Sequence, residues 1–126
     1  MLSGIHNLAR AAKDILGRGP KRLVIKRGEH GSLYFDDDGV FAAPALLLEE
    51  VADPTGAGDS FAGGVLGYLA QASTWDHPTM RRSMIHGTAT ASFCVEALGP
   101  AGLAELKGEQ VSARASEIRR LYHVAD

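Results

Sequence analysis

Asp53-Pro54-Thr55-Gly56-Ala57-Gly58-Asp59-Ser60-Phe61-Ala62-Gly63-Gly64 runs without a break into Val65, Leu66 and Leu69, which with Phe61 recur at helical spacing. A glycine-rich turn therefore opens a helix. Gly56-Ala57-Gly58 at such a start gathers free backbone N–H groups and the positive end of the helix dipole around one small volume, the geometry of an anion site. Asp59 stands in the first turn. A carboxylate there can accept a proton from a substrate hydroxyl while the N–H groups stabilise charge on a transferring phosphoryl group. It can equally do no more than cap the helix, because both roles use the same end of the dipole. Glycine inside a helix costs about 1 kcal/mol, so close packing or close ligand approach is expected to compensate at Ala62, Gly63, Gly64 and Gly67.

Upstream, Ile5, Leu8, Ala12, Ile15 and Leu16 predict a helix stopped by Gly17-Arg18-Gly19-Pro20. Leu23-Val24-Ile25, continuing into Lys26-Arg27, reads as a buried strand because its apolar run is unbroken. A tight turn at Gly28-Glu29-His30-Gly31, a strand from Ser32 to Phe35, a turn at Asp36-Asp37-Asp38-Gly39 and a strand Val40-Phe41-Ala42-Ala43 make a hairpin-like excursion. The three aspartates are consecutive, whereas a calcium loop needs alternating ligands, so they read as turn. Downstream, a helix is predicted from Pro78 to Ala97, with Thr74 or Asp76 as cap candidates and Leu98-Gly99-Pro100 as its stop. A last helix carries Val111, Ala115, Ile118 and Tyr122 on one face. The layout is a single α/β unit over residues 1–126, with helices available for both faces of a sheet.

With 126 residues, 45% apolar and 22% charged, the chain can bury a real core. A net charge of −2 gives no field for nucleic acid or an anionic membrane, and Lys21, Arg22, Lys26 and Arg27 are too few to change that. Cys94 has no partner cysteine, no apolar run spans a membrane, and Met1-Leu2-Ser3-Gly4 does not open a signal peptide, so a cytoplasmic setting is expected. The histidines lack zinc spacing. The Walker pattern is absent, and Phe61 stands where a GxGxxG loop needs glycine. Gly58-Asp59-Ser60-Phe61-Ala62 nearly meets a serine nucleophile elbow, which leaves an acyl hydrolase using Ser60 with His86 or His123 as an alternative enzyme.

The string from Asp53 to Gly64 closely resembles the second signature of PfkB-type (ribokinase-like) carbohydrate kinases. Lys26-Arg27-Gly28-Glu29-His30-Gly31 resembles that family's strand-turn facing the ATP phosphates, and His86-Gly87-Thr88-Ala89-Thr90-Ala91 its small-residue helix beside the adenine. The resemblance implies the C-terminal part of a ribokinase-like three-layer α/β/α sandwich and ATP-dependent phosphorylation of a sugar or nucleoside hydroxyl. Asp59 would be the base, and Gly56, Ala57 and Gly58 the anion hole. Lys26, Gly28, Glu29 and Gly31 would line the phosphates, with Thr55 as a further donor. Gly87 and Ala91 would let the nucleotide lie close. The bland roles stay open beside these: a solvated strand-end charge for Lys26, helix–helix packing for Gly87 and Ala91, and satisfaction of the helix N-terminus for Thr55 and Ser60. Asp53 resembles the aspartate that supports the loop and a neighbouring monovalent-cation site, which would take K⁺; its alternative is a loop-stapling hydrogen bond. Mg²⁺ would come held by phosphates and waters.

The resemblance runs from about Gly4 to the C-terminus, well under half of a complete member. The family's first signature, most sugar contacts, its lid and an Asn-x-x-Glu motif have no counterpart in these residues. The chain alone is therefore expected to bind ATP or ADP without efficient turnover. A non-catalytic nucleotide-binding or assembly module is the other reading, and a homodimer covering an open sheet edge is the expected self-association.

Overall fold

The computed structural model describes residues 2–27, 30–45, 57–93 and 108–121. Helix α1 spans Leu2–Leu16 and ends where its last carbonyls accept from Gly17, Arg18 and Gly19. Gly19, at φ +133°, takes a backbone conformation that side chains resist, and so the chain turns there.

Three strands follow as an antiparallel meander in the order β1 (Leu23–Lys26), β2 (Ser32–Asp36), β3 (Gly39–Ala43). The register sets Lys26 opposite Ser32, Val24 opposite Tyr34, Tyr34 opposite Phe41 and Ser32 opposite Ala43. Because side chains alternate along a strand, Val24, Lys26, Ser32, Tyr34, Phe41 and Ala43 share one face. That face meets the helices: Tyr34 and Ala43 belong to the buried core, with Val24 and Phe41 packed against it. Phe35, on the opposite face, is buried too, and so is Ala12 of α1, both outside that core cluster.

β1 differs from expectation. It ends at Lys26, short of Arg27, and Leu23, Val24 and Ile25 are half-buried. β1 lies at the edge of the sheet among the described residues, so its apolar run is covered from one side only.

Helix α2 (Ala57–Ala70) places Phe61, Val65 and Leu69 in the core at four-residue intervals. Helix α3 (His77–Phe93) packs antiparallel to it and adds Met80, Met84, Ile85, Ala89 and Phe93. Its N-cap is Asp76, whose carboxylate accepts from the Thr79 N–H at 3.0 Å while its carbonyl accepts from Met80. Hydrogen bonds from the Thr79 side chain and from its N–H hold the Asp76 carboxyl below its ordinary range. Helix α4 (Gly108–Leu121) contributes Val111 and Ile118, with Ala115 against the core as the spacing predicted. Tyr122, Cys94 and the expected end of α3 at Ala97 lie outside the described residues.

The small residues of α2 have unequal reasons. A Cβ on Gly64 would stand 2.9 Å from Gly87 Cα and 2.6 Å from Thr90 Oγ1, so here close packing does compensate. Gly63 and Gly67 face open space, and neither needs to be glycine for packing against the described residues.

The β2–β3 turn is built on Asp36, whose Oδ1 accepts from the Asp38 and Gly39 N–H groups at 2.8 and 3.1 Å. The same carboxylate accepts from the Tyr34 hydroxyl at 2.8 Å and pairs with His77 Nδ1 at 2.8 Å. The aspartate run is thus a turn, as expected, tied to the start of α3. Beside it, the Arg22 guanidinium donates twice to the Trp75 carbonyl and lies over the Trp75 ring, while Trp75 Nε1 donates to the Leu69 carbonyl at the end of α2.

Candidate functional site

At the other end of the sheet, Lys26 and the first turn of α2 converge. Strand parity directs Lys26 toward the helices, and its Nζ lies 3.5 Å from the Gly58 carbonyl oxygen. A Cβ on Gly58 would stand 3.4 Å from that Nζ, so a small residue leaves the approach open. The ammonium and the N-terminal end of the α2 dipole therefore add their positive potential over one volume.

The β1–β2 turn brings the backbone to the same end. Arg27 N–H donates to the Gly31 carbonyl at 2.8 Å and His30 N–H to the Arg27 carbonyl at 3.0 Å. Gly31 has φ +87°, and any side chain on it would collide with the Ala43 carbonyl oxygen and stand 2.9 Å from Pro44 Cα. Only glycine closes this turn.

Asp59 occupies the third position of α2, exposed, and its carboxylate makes no hydrogen bond or ion pair among the described residues. Ser60 beside it is half-buried. Gly28, Glu29, Asp53, Thr55 and Gly56 lie outside the described residues, as does everything about the Ala57 side chain. Lys26, Gly31, Ala57, Gly58 and Asp59 belong to elements that meet at this end. Gly87 is buried in the α2–α3 contact, where a Cβ would stand 2.6 Å from Val65 Cγ2 and 2.8 Å from the Phe61 carbonyl oxygen. Its glycine is accounted for by that packing, and Ala91 is half-buried against the core.

The Ser60 hydrolase reading finds no support in the geometry. His86 packs on the Tyr68 ring at 5.4 Å, and no hydrogen bond joins it to Ser60 among the described residues. Burial also holds the His86 imidazole below its ordinary pKa. His123 is outside the described residues.

Two features escaped sequence reasoning. Arg114 of α4 donates to Ser92 Oγ at 3.0 Å and stacks on Phe93 at 3.7 Å, fixing α4 to the last turn of α3. Ser32, directly opposite Lys26, is 4% exposed, and its Oγ is the one buried side-chain polar atom without a hydrogen-bond partner among the described residues. Its placement on the Lys26 face was readable from strand alternation alone.

Residues 2–106 match the family described as pfkB family carbohydrate kinase. The chain belongs to the pfkB family. It is 34% identical over 98 residues to aminoimidazole riboside kinase of Salmonella typhimurium, covering 78% of this chain and 30% of that enzyme. It is 46% identical over 67 residues to cytidine kinase of Thermococcus kodakarensis, covering 52% of this chain and 24% of that enzyme. Among solved structures, aminoimidazole riboside kinase from Salmonella enterica superposes with a TM-score of 0.67 at 32% identity, over 78% of this chain and 32% of that one. Ribokinase from Thermotoga maritima superposes with a TM-score of 0.68 at 27% identity, over 85% of this chain and 34% of that one. The fold is therefore a part of the ribokinase fold, and the chain spans only 24–34% of these relatives. No described helix is long and apolar enough to cross a membrane.

Proposed function

We propose that this chain supplies the nucleotide-binding part of an ATP-dependent kinase acting on a hydroxyl of a sugar or nucleoside. The observation that carries the reading is the approach of Lys26 Nζ to Gly58 at the start of α2, next to an exposed Asp59 that makes no ion pair among the described residues. Pfkb-family membership and nucleoside and riboside kinases among the relatives support the same class of acceptor.

In this mechanism the acceptor oxygen attacks the γ-phosphorus, its proton passes to an Asp59 carboxylate oxygen, and the bond from γ-phosphorus to the bridging oxygen breaks to release ADP. The Gly56, Ala57 and Gly58 N–H groups and Lys26 carry the charge that develops on the transferring group. Gly28, Glu29, Gly31 and Thr55 complete the phosphate contacts. Gly87 and Ala91, given the packing described above, act through the helix they shape. No cluster of three His, Cys, Asp or Glu side chains among the described residues could grip a metal ion. Mg²⁺ would be held by phosphate oxygens and waters of the bound nucleotide. K⁺ beside Asp53 is a further proposal, resting on the resemblance alone. A cytoplasmic location is proposed on the same footing.

These 126 residues by themselves bind nucleotide without efficient turnover, since positioning of the acceptor is worth about 7–11 kcal/mol of barrier and the chain spans only 30% of the riboside kinase. Self-association as a homodimer is proposed from β1, which pairs on one side only among the described residues. The deciding experiment is titration with ATP by calorimetry, together with ADP release across a sugar and nucleoside panel. ATP binding without sugar-dependent turnover is expected. No ATP binding at millimolar concentration sinks the nucleotide reading, and robust turnover by a monomer sinks the incomplete-site reading.

A further inference from the structure

Lys26 and Ser32 are directly opposed across β1 and β2, so their Cβ atoms point to the same face and stand about 5 Å apart at the usual cross-strand spacing. Lys26 leads from that face to the first turn of α2. Ser32 therefore stands beside the lysine on the face of the sheet that meets the helices. Its neighbour on the other side is Ala43, which offers no polar side chain. The residue is 4% exposed and its hydroxyl makes no hydrogen bond among the described residues. Three other buried hydroxyls of the described chain are satisfied locally: Ser83 donates to Met80, Thr88 to Met84 and Ser92 to Ala89, each on a helical carbonyl within reach. A strand offers no such carbonyl, because its own are committed to the ladder. A buried hydroxyl without a partner is unfavourable, and alanine would fill the position without that penalty. A serine here makes sense if its partner arrives from outside.

We propose that Ser32 Oγ is a further phosphate-binding group of this site, donating to a phosphate oxygen of the nucleotide beside Lys26 Nζ. The inference rests on the nucleotide-binding reading above and adds to it a residue outside every motif by which that reading was reached. The side chains then divide the work. Lys26 supplies charge that any phosphate geometry can use, whereas a hydroxyl fixed on the middle strand of the sheet supplies direction. Inorganic phosphate and the phosphates of a nucleotide share this chemistry, and the affinity for each separates the two sources.

The test compares wild type with Ser32→Ala in the full chain by calorimetry against ATP, adenosine and inorganic phosphate, with urea unfolding of both ligand-free proteins. Loss of one hydrogen bond to a charged group should weaken ATP about tenfold and leave adenosine unchanged. The ligand-free variant should be no less stable than wild type. A weaker phosphate titration in parallel assigns the group to phosphate in general, while a loss confined to ATP assigns it to the nucleotide; either supports the proposal. Equal ATP affinity in wild type and variant overturns it and leaves the functional reading intact. A ligand-free variant that is less stable also overturns it, since the hydroxyl would then have a partner within the protein. If wild type itself fails to bind ATP, both readings fall together.

Discussion

Gly64 and Gly87 meet across the α2–α3 contact so closely that a Cβ on the first would stand 2.9 Å from the Cα of the second. Neither helix can accept a methyl group there without moving apart, because the obstacles on Gly87 include the Phe61 carbonyl oxygen at 2.8 Å. Gly87→Ala should lower stability by about 1–3 kcal/mol, the usual range for overpacking, despite the better helix propensity of alanine. Gly67→Ala, in open space on the same helix as Gly64, should raise it by about 0.5–1 kcal/mol. Urea unfolding of the two variants checks the contrast, and a stable Gly87→Ala protein would mean that the helices do not approach as described.

The Asp36 carboxylate is penalised by burial, yet hydrogen bonds from His77, Tyr34 and the Asp38 N–H outweigh that and hold its pKa below the ordinary value. A carboxyl depressed on folding contributes stability above the unfolded carboxylate range, and that contribution is lost as pH falls through the folded value. Unfolding free energy should therefore drop as the solution is acidified below about pH 4, the unfolded Asp range. Asp36→Asn should cost about 1–3 kcal/mol at neutral pH and flatten this acid limb. An unchanged limb would assign acid sensitivity to other carboxylates.

His86 should show itself at milder pH. Burial lowers its pKa, so the unfolded chain takes up the proton first, and stability falls as pH drops below about 6.5, the unfolded His value. His86→Gln should remove this component between neutral pH and the Asp36 range. Thermal unfolding from pH 8 to pH 5 checks it, and parallel profiles for variant and wild type would refute it.

In a complete kinase carrying this segment, Asp59→Asn should leave nucleotide affinity nearly unchanged while turnover falls about 10²–10⁴-fold, the usual worth of a positioned base. Gly58→Val should act in the opposite way, weakening nucleotide binding itself, since its first added carbon already stands 3.4 Å from Lys26 Nζ. Normal turnover by the Asn variant, measured by coupled ADP release, would remove Asp59 from the role of base.

Much of the molecule could be read from its residues, because the governing signals were local. The glycine turn followed by Phe61, Val65 and Leu69 gave α2, and the turn residues bounding Ser32 to Phe35 and Val40 to Ala43 gave the hairpin. What stayed hidden depends on contacts between distant positions. His77 and Asp36 are 41 residues apart, Arg22 and Trp75 53 apart, and no spacing rule links either pair. β1 was misjudged for a related reason: an unbroken apolar run says that a strand likes cover and does not say how many neighbours cover it. The glycines of α2 look alike in sequence, yet only the tertiary contact separates Gly64 from Gly63 and Gly67.

Arg22 with Trp75 and Asp36 with His77 both fasten the sheet to the short connection between α2 and α3, at the end remote from Lys26. Both ties leave the Lys26 end of the sheet to its own packing, where Ala43, opposite Ser32, is part of the core. Severing either tie should therefore loosen the Asp36 end of the sheet first.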